Sequence, residues 1–513
     1  MNPGTLSISP AAAWAIFGAM IFGNFMAILD IQIVASSLNE IQAGLGASQS
    51  EIAWVQTAYL IAEVIAIPLS GFMSRLLSTR VYFTICALGF ALTSLLCGLA
   101  WNIESMLVFR ALQGFLGGGM IPTTMAALFV LFAPTKQTIP MVFVGMVSTL
   151  GPAIGPTLGG WLTNNFSWHW MFFINLAPGL LIAAQVYSSE DVDHAEKGLF
   201  SRIDWAGLVG MAIFLGCLEF VLDEGPRNDW FADHAIIYAT IAGIVAAIVF
   251  FWRSFTYAEP IIDLKVFKDK NFYTSSIMTF IVGMALYGMV FILPVFLGQV
   301  RGMNSSQIGE VMMVQGAAMF LMAPVVAAVM PKFDPRKTIF LGLMLSAYGV
   351  WLDSHLTIQS DYDELFLSQI IRGAGFMLCL IVMSQLAMVT LPVDRIKSAS
   401  GVYNLTRNIG GAIGLALITT LLDKQGALHV TSLNAHLSFD RPEVIDYVDN
   451  LTKQFIGSHG AAAHDMAIRV LYRNVHLQGL TMAFNDLLKG LALLLFAVAF
   501  LVFTLKRPPN LQG

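Results

Sequence analysis

The sequence predicts an all-α integral membrane protein with fourteen transmembrane helices arranged as six, two and six. Three observations carry that prediction. Of 513 residues, 57% are hydrophobic and only 12% are charged, with a mean hydropathy of +0.73, whereas soluble domains carry roughly 25% charged residues. Apolar runs of the length that crosses a bilayer as a helix, about 20 residues, recur along the whole chain. The Lys and Arg residues that remain collect in short segments on alternate sides of those runs, which fixes an orientation.

In order, the runs lie near 11–34, 51–73, 80–100, 105–132, 138–162, 168–187, 204–222, 234–252, 272–297, 307–330, 337–353, 363–390, 396–422 and 485–505. The first is too long for the core of a signal peptide and has no basic flank before it, so it is expected to remain as an uncleaved span. Placing the amino terminus inside puts sixteen of the 27 Lys and Arg residues in cytoplasmic segments, seven outside and four within spans. Both termini are therefore expected in the cytoplasm. Five of the outer charges fall in one long segment, about 423–484, which is too polar to span and has helix-compatible stretches. It holds His429, His436, His459, His464 and His476, irregularly spaced and without cysteine, so no metal site is expected. Cys86, Cys97, Cys217 and Cys379 all lie in apolar runs and read as reduced packing residues. No Lys/Arg-rich run exists to bind nucleic acid.

A weak internal duplication supports the six, two, six division. Phe109-Arg110-Ala-Leu-Gln-Gly114 in span four is echoed by Ile371-Arg372-Gly-Ala-Gly375 in span twelve, and the glycine-rich span five by Arg407-Asn-Ile-Gly410-Gly411-Ala-Ile-Gly414 in span thirteen. Parallel repeats of this kind build many transporters. The expected domains are residues 1–200, an inserted pair at 201–255, and 256–513 including the outer loop.

Ionisable residues inside spans are costly and are functional candidates. Asp30 in span one and Arg110 in span four have similar depths near the outer leaflet and could face one another. Two opposite charges in a low-dielectric cavity hold each other ionised, and protonating Asp30 or admitting a cation breaks the balance. The same pair could instead be a structural tie between helices. Glu63, with Tyr59 and Gln56 at i−4 and i−7, is either a proton carrier or a neutral hydrogen-bonded acid. Arg407, with Asn404 beside it and Gly410, Gly411 and Gly414 ahead, reads as cavity lining for a substrate or as a tie between spans. Arg372 reads the same way, and Tyr59, Gln56, Gln113 and Asn404 are expected in the same cavity wall. Glu219, Asp223, Glu310, Asp486 and Lys489 lie nearer span ends and are expected to be interfacial. The 26 Met and 37 Phe suit a permissive apolar pocket, or ordinary helix packing.

Span five carries Gly151-Pro-Ala-Ile-Gly155-Pro-Thr-Leu-Gly-Gly160. Gly151, Gly155 and Gly159 are four apart and form one smooth stripe, with Pro152 and Pro156 beside it removing two backbone donors. Such a stripe allows a close helix crossing, fixed or sliding.

These residues together resemble the fourteen-span EmrB/QacA-type drug:proton antiporters of the major facilitator superfamily. Span five is similar to the family's antiporter motif G-x-x-x-G-P-x-x-G-G at every fixed position, implying a conformational role for Gly151, Pro152, Gly155, Pro156, Gly159 and Gly160. Leu29-Asp30 resembles the start of L-D-x-T-I-V, with Gln32 in place of Thr. Arg110-Ala-Leu-Gln113-Gly114 resembles R-x-x-Q-G, implying that Arg110 takes part in proton transfer and that Gly114 belongs to the conformational set. Trp168-His-Trp170 through Asn175 and Pro178, Asp223-Glu-Gly225 through Phe231, and Pro260 through Phe272 resemble further family segments. One motif departs. The loop after span two reads Gly71-Phe-Met-Ser-Arg75-Leu-Leu-Ser78-Thr-Arg80, with Arg75 where the family has the acid that latches the inner gate. EmrB-like members also lack that acid, which favours their branch.

The resemblance implies a proton-driven exporter of hydrophobic or amphipathic compounds in the bacterial inner membrane. It further implies a periplasmic adaptor of the HlyD/EmrA type and a TolC-like outer-membrane channel, with the long outer loop as the docking surface. The alternatives are a carrier dedicated to one natural product such as a siderophore or fatty acid, or a transport-dead receptor or scaffold. An intramembrane enzyme is not expected, because no H-E-x-x-H or G-x-S-x-G occurs. No cofactor, catalytic residue or metal ligand is assigned.

Overall fold

The computed structural model describes residues 9–35, 37–133, 136–330, 332–392, 395–437 and 441–506. It is all-helical among those residues. The helices are α1 Pro10–Ala35, α2 Leu38–Leu45, α3 Gln49–Leu77, α4 Thr79–Gly98, α5 Ile103–Leu131, α6 Thr138–Asn165, α7 Trp170–Phe173, α8 Leu176–Tyr187, α9 Trp205–Glu224, α10 His234–Thr256, α11 Lys270–Gln299, α12 Ser305–Val329, α13 Pro335–Asp353, α14 Tyr362–Met388, α15 Ile396–Ala435, α16 Pro442–His459 and α17 Ala463–Ala499.

Among the described residues, twelve spans pass a length and hydropathy test, α7 and α8 counting as one. The packed helices α6 and α13 complete the fourteen. Polar caps in the connections set the ends: Ser48 and Glu51 close a capping box on α3, Asn304 and Gln307 on α12, and Asp233, Asp269 and Asp361 cap α10, α11 and α14. Proline sits inside α3, α5, α11 and α12 at Pro68, Pro122, Pro294 and Pro324. Neighbouring helices make this tolerable at membrane depth.

The two halves repeat one packing scheme. In the first, α1 lies on α6, α3 on α5, and α4 on α5 and α8; in the second, α11 lies on α15, α12 on α14, and α13 on α14 and α17. The halves meet where α6 packs on α12 and α3 on α15, the same two positions exchanged. That exchange is what a pseudo-twofold axis along the membrane normal requires. The inserted helices α9 and α10 pack chiefly on each other, and α9 also touches α3 and α15 at the seam. Arg253 of α10 donates to Asp204, the cap of α9, at 2.8 Å.

Fourteen crossings return the chain to its starting face, here the terminal face; the opposite one is the loop face. The polar stretch on the loop face is helical and longer in structure than the sequence limits suggested. At 1.5 Å per residue α15 is about 60 Å long, roughly twice the hydrocarbon thickness. Its distal part pairs with α17, and α16 packs on α17 through Val448, Ala467 and Leu471. This small apolar core explains why polar sequence here still forms an ordered outcrop. The backbone at Arg507 and the side chain of His459 fall outside the described residues.

Candidate functional site

A chamber of about 150 Å³ lies between the halves. α1 contributes Ile28, Ile31 and Gln32, α3 Glu63, α9 Glu219, α11 Tyr287, and α15 Arg407 and Asn408. Towards the terminal face it is sealed. The backbone of Lys397 stands against Gly71, Ser400 Oγ donates to the Pro122 carbonyl at 3.2 Å, and Lys397 forms an ion pair with Asp193. Towards the loop face it continues into a cleft of about 400 Å³ that shares Leu60, Glu219, Ala412 and Leu415 with it.

Asp30 and Arg110 meet inside the first half, both fully buried, with Arg110 Nη1 2.7 Å from the Asp30 carboxylate. Three other side chains complete this network. Gln113 Nε2 donates to Asp30 at 3.1 Å and to Ser94 at 3.1 Å, while Asn175 Nδ2 donates to Asp30 at 2.7 Å. Arg110 Nε donates to the Val55 carbonyl at 3.2 Å, and its guanidinium lies 4.3 Å from the Tyr59 ring centre. The carboxylate thus has three charge-matched or dipolar donors, which is how an ionised group is held in a low-dielectric interior. The pair does not line the chamber. α1 carries both the acid of the pair and part of the wall, Gln32 following Asp30 by two residues.

Arg372 is a correction. It does not reach the chamber, but is fully buried in the second half, paired with Asp353 of α13 and accepted by Gln315 Oε1 at 2.8 Å. Ser368 donates to the same aspartate. Arg110 and Arg372 occupy matching positions on the fourth helices of their halves, but the acid comes from the first helix in one half and the third in the other. Sequence reading missed Asp353 because it ends a span, where an acid looks interfacial.

The other assigned residues divide. Arg407 and Glu63 are in the chamber wall. Tyr59 and Gln113 are buried in the Asp30 network instead, and Asn404, also buried, accepts from Arg407 at 2.9 Å behind the wall. Gln56 does not line the chamber; its Oε1 is buried without a hydrogen-bond partner among the described residues. Glu219, expected at the interface, lines the chamber, and Asp223 accepts from Thr57 in the cleft. The named wall residues include neither Met nor Phe, and Met278, Met289, Met377 and Met383 are buried in packing.

The glycine stripe of α6 lies on α1. A Cβ at Gly151 would stand 2.6 Å from Ile28, and one at Gly155 2.4 Å from Gln32, both wall residues. Gly159 is buried, while Gly160 faces open space. Gly114 of α5 makes an equally close approach to the Tyr59 carbonyl of α3. The side chains of Pro152 and Pro156 fall outside the described residues.

The model for the Major Facilitator Superfamily matches residues 20–415. This chain belongs to the major facilitator superfamily. Within it the chain is of the EmrB type, 59% identical over 495 residues to a protein named colistin resistance protein EmrB from Acinetobacter baumannii, covering 96% of each. It is 28% identical over 419 residues to the multidrug export protein EmrB of Escherichia coli K12, covering 81% of each, and 27% identical over 490 residues to the fatty acid resistance protein FarB of Neisseria gonorrhoeae, covering 95% of each. A human organic anion transporter (TETRAN) shares the fold at a TM-score of 0.60 and 12% identity, covering 95% of this chain and 100% of its own. The proton:xylose symporter XylE does so at 0.59 and 12%, covering 95% of both.

Two ion pairs stand at the terminal face beside the loop after span two. Asp193, in the segment after α8, takes Lys397 of the second half, and Glu196 takes Arg75 at 2.8 Å. At this face the base stands in the motif and the acids come from the segment that follows the sixth span.

Proposed function

We propose that this chain is a proton-driven exporter that moves hydrophobic or amphipathic compounds across the bacterial inner membrane by alternating access. Both termini lie in the cytoplasm, so the sealed terminal face is cytoplasmic and the open cleft is periplasmic. The observation that carries the coupling is the fully buried Asp30–Arg110 pair, its acid on the same helix, α1, as part of the chamber wall. A proton on Asp30 removes the charge that holds Arg110, Gln113 and Asn175 in place, and α1 carries the change to the Gly155–Gln32 crossing. The family names of resistance to colistin, to fatty acids and to multiple drugs support a cargo that is toxic to the cell.

The test is Asp30→Asn in energised vesicles, with cargo-induced proton release as the readout. Release should vanish; normal exchange by this variant would remove Asp30 from the coupling role. We also assign the α15–α16–α17 outcrop to docking an HlyD/EmrA-type adaptor that leads to a TolC-like channel, supported by its projection from the loop face. Deleting residues 430–475 should abolish co-purification of the adaptor while vesicle transport persists, and an unchanged complex would refute the docking role.

A further inference from the structure

An inserted helix pair with no part in transport would present only apolar side chains to the pathway. α9 does not. It packs at the seam against α3 and α15 and places Glu219 in the chamber wall together with Glu63. Glu63 is 5% exposed and lines the chamber, and among the described residues neither carboxylate has a hydrogen bond or an ion pair. Arg407 is the one cation in the described wall, and its Nη2 already donates to Asn404 at 2.9 Å. The wall therefore holds two acids against one base, and most of its remaining side chains are Ile, Leu and Val. Ionised carboxylates in such surroundings need a positive partner. One turn beyond Glu219, Asp223 lines the cleft that opens the chamber to the loop face. Carboxylates thus mark successive turns of α9 along the outlet.

We infer that Glu219 and Glu63 form one recognition site for a cationic group on the cargo, with the inserted helix α9 supplying half of it. The inference rests on the export reading above and adds a substrate class, an amphiphile with a cationic head and an apolar body. A bare proton would also neutralise one acid, but the apolar wall around the pair matches a ligand with a body. The insert is then part of the specificity machinery of the carrier.

The test measures binding of tetraphenylphosphonium, a permanent cation, and of N-phenylnaphthylamine, an uncharged probe, to the purified full chain. Glu219→Gln should lower the affinity ratio of cation to neutral probe by about ten-fold, near 1.4 kcal/mol. Glu219→Asp should recover most of that ratio, which separates charge from folding. Equal loss for both probes, an unchanged ratio, or no cation binding by the unmodified chain would overturn the inference. So would an unchanged ratio accompanied by altered proton release, which would make Glu219 a proton carrier only. Cation binding that is intact in a chain showing no proton-coupled movement would refute the export reading and leave the site standing.

Discussion

Arg110 and Arg372 sit at matching positions, are equally buried, and are not expected to respond alike to substitution. Removing one partner of a buried ion pair leaves an uncompensated charge and costs about 3–5 kcal/mol, whereas replacing both with apolar residues is often neutral. We expect Arg372→Met or Asp353→Leu alone to lower the melting temperature sharply, and the double variant to recover most of it while keeping transport. The corresponding double replacement of Asp30 and Arg110 should recover stability and still lose proton coupling. Melting and exchange assays on both double variants check this, and identical behaviour of the two would remove the functional distinction. Glu196 gives a pH prediction outside the membrane. Its hydrogen bond to Arg75 holds its carboxyl below the ordinary glutamate value. The contact therefore contributes above that ordinary value and is lost as pH falls through the lowered one. Its labelling or crosslinking signature should be flat near neutrality and change only in acid.

Among the elements, α6 makes the sharpest separation between motif membership and physical need. A Cβ at Gly155 would fall 2.4 Å from Gln32, and one at Gly160 would meet nothing within 4 Å. Gly155→Ala must push α1 and α6 apart, and we expect transport to fall by about ten-fold or more, since overpacking of this kind costs about 1–3 kcal/mol. Gly160→Ala should stay within about two-fold of the unmodified rate, because surface or open positions rarely cost more than about 0.5 kcal/mol. A transport series on the two variants decides whether the stripe acts through this crossing. The echo seen in span thirteen has the same cause: Gly410 and Gly414 let α15 approach the backbone of α11 at Phe280 and Met284.

For the molecule as a whole, the terminal-face seal and the open cleft are two ends of one equilibrium. Lys397 and Asp193 join the halves across that seal, so Lys397→Met should favour the state open to the cytoplasm. In a cysteine-free background, a cysteine at Leu415 should then be labelled less readily from the loop face, and unchanged labelling would show that the latch does not bias the equilibrium. The contacts of α6 with α12 and of α3 with α15 are where the halves meet, so they are the contacts such a switch has to rearrange.

Hydrophobic run length alone determined the number of spans, because a bilayer leaves a backbone almost no alternative to helices. The same constraint made Asp30, Arg110, Glu63 and Arg407 stand out, since a charge in a span is conspicuous in one dimension. Partnership was legible only for Asp30 and Arg110, whose similar depths in their spans matched them. Asp353 against Arg372, Asp193 against Lys397 and Glu219 in the chamber wall bring together residues of different elements, and each acid lies near a helix end or in a connection where sequence alone reads it as solvated. The outcrop was equally opaque, because its helices draw stability from a small core of Val448, Ala467 and Leu471 that forms only when α16 folds back on α17. The sequence by itself determined which groups are expensive to bury, since that cost is local; only the tertiary structure decided which of them repay it with one another and which remain open to cargo.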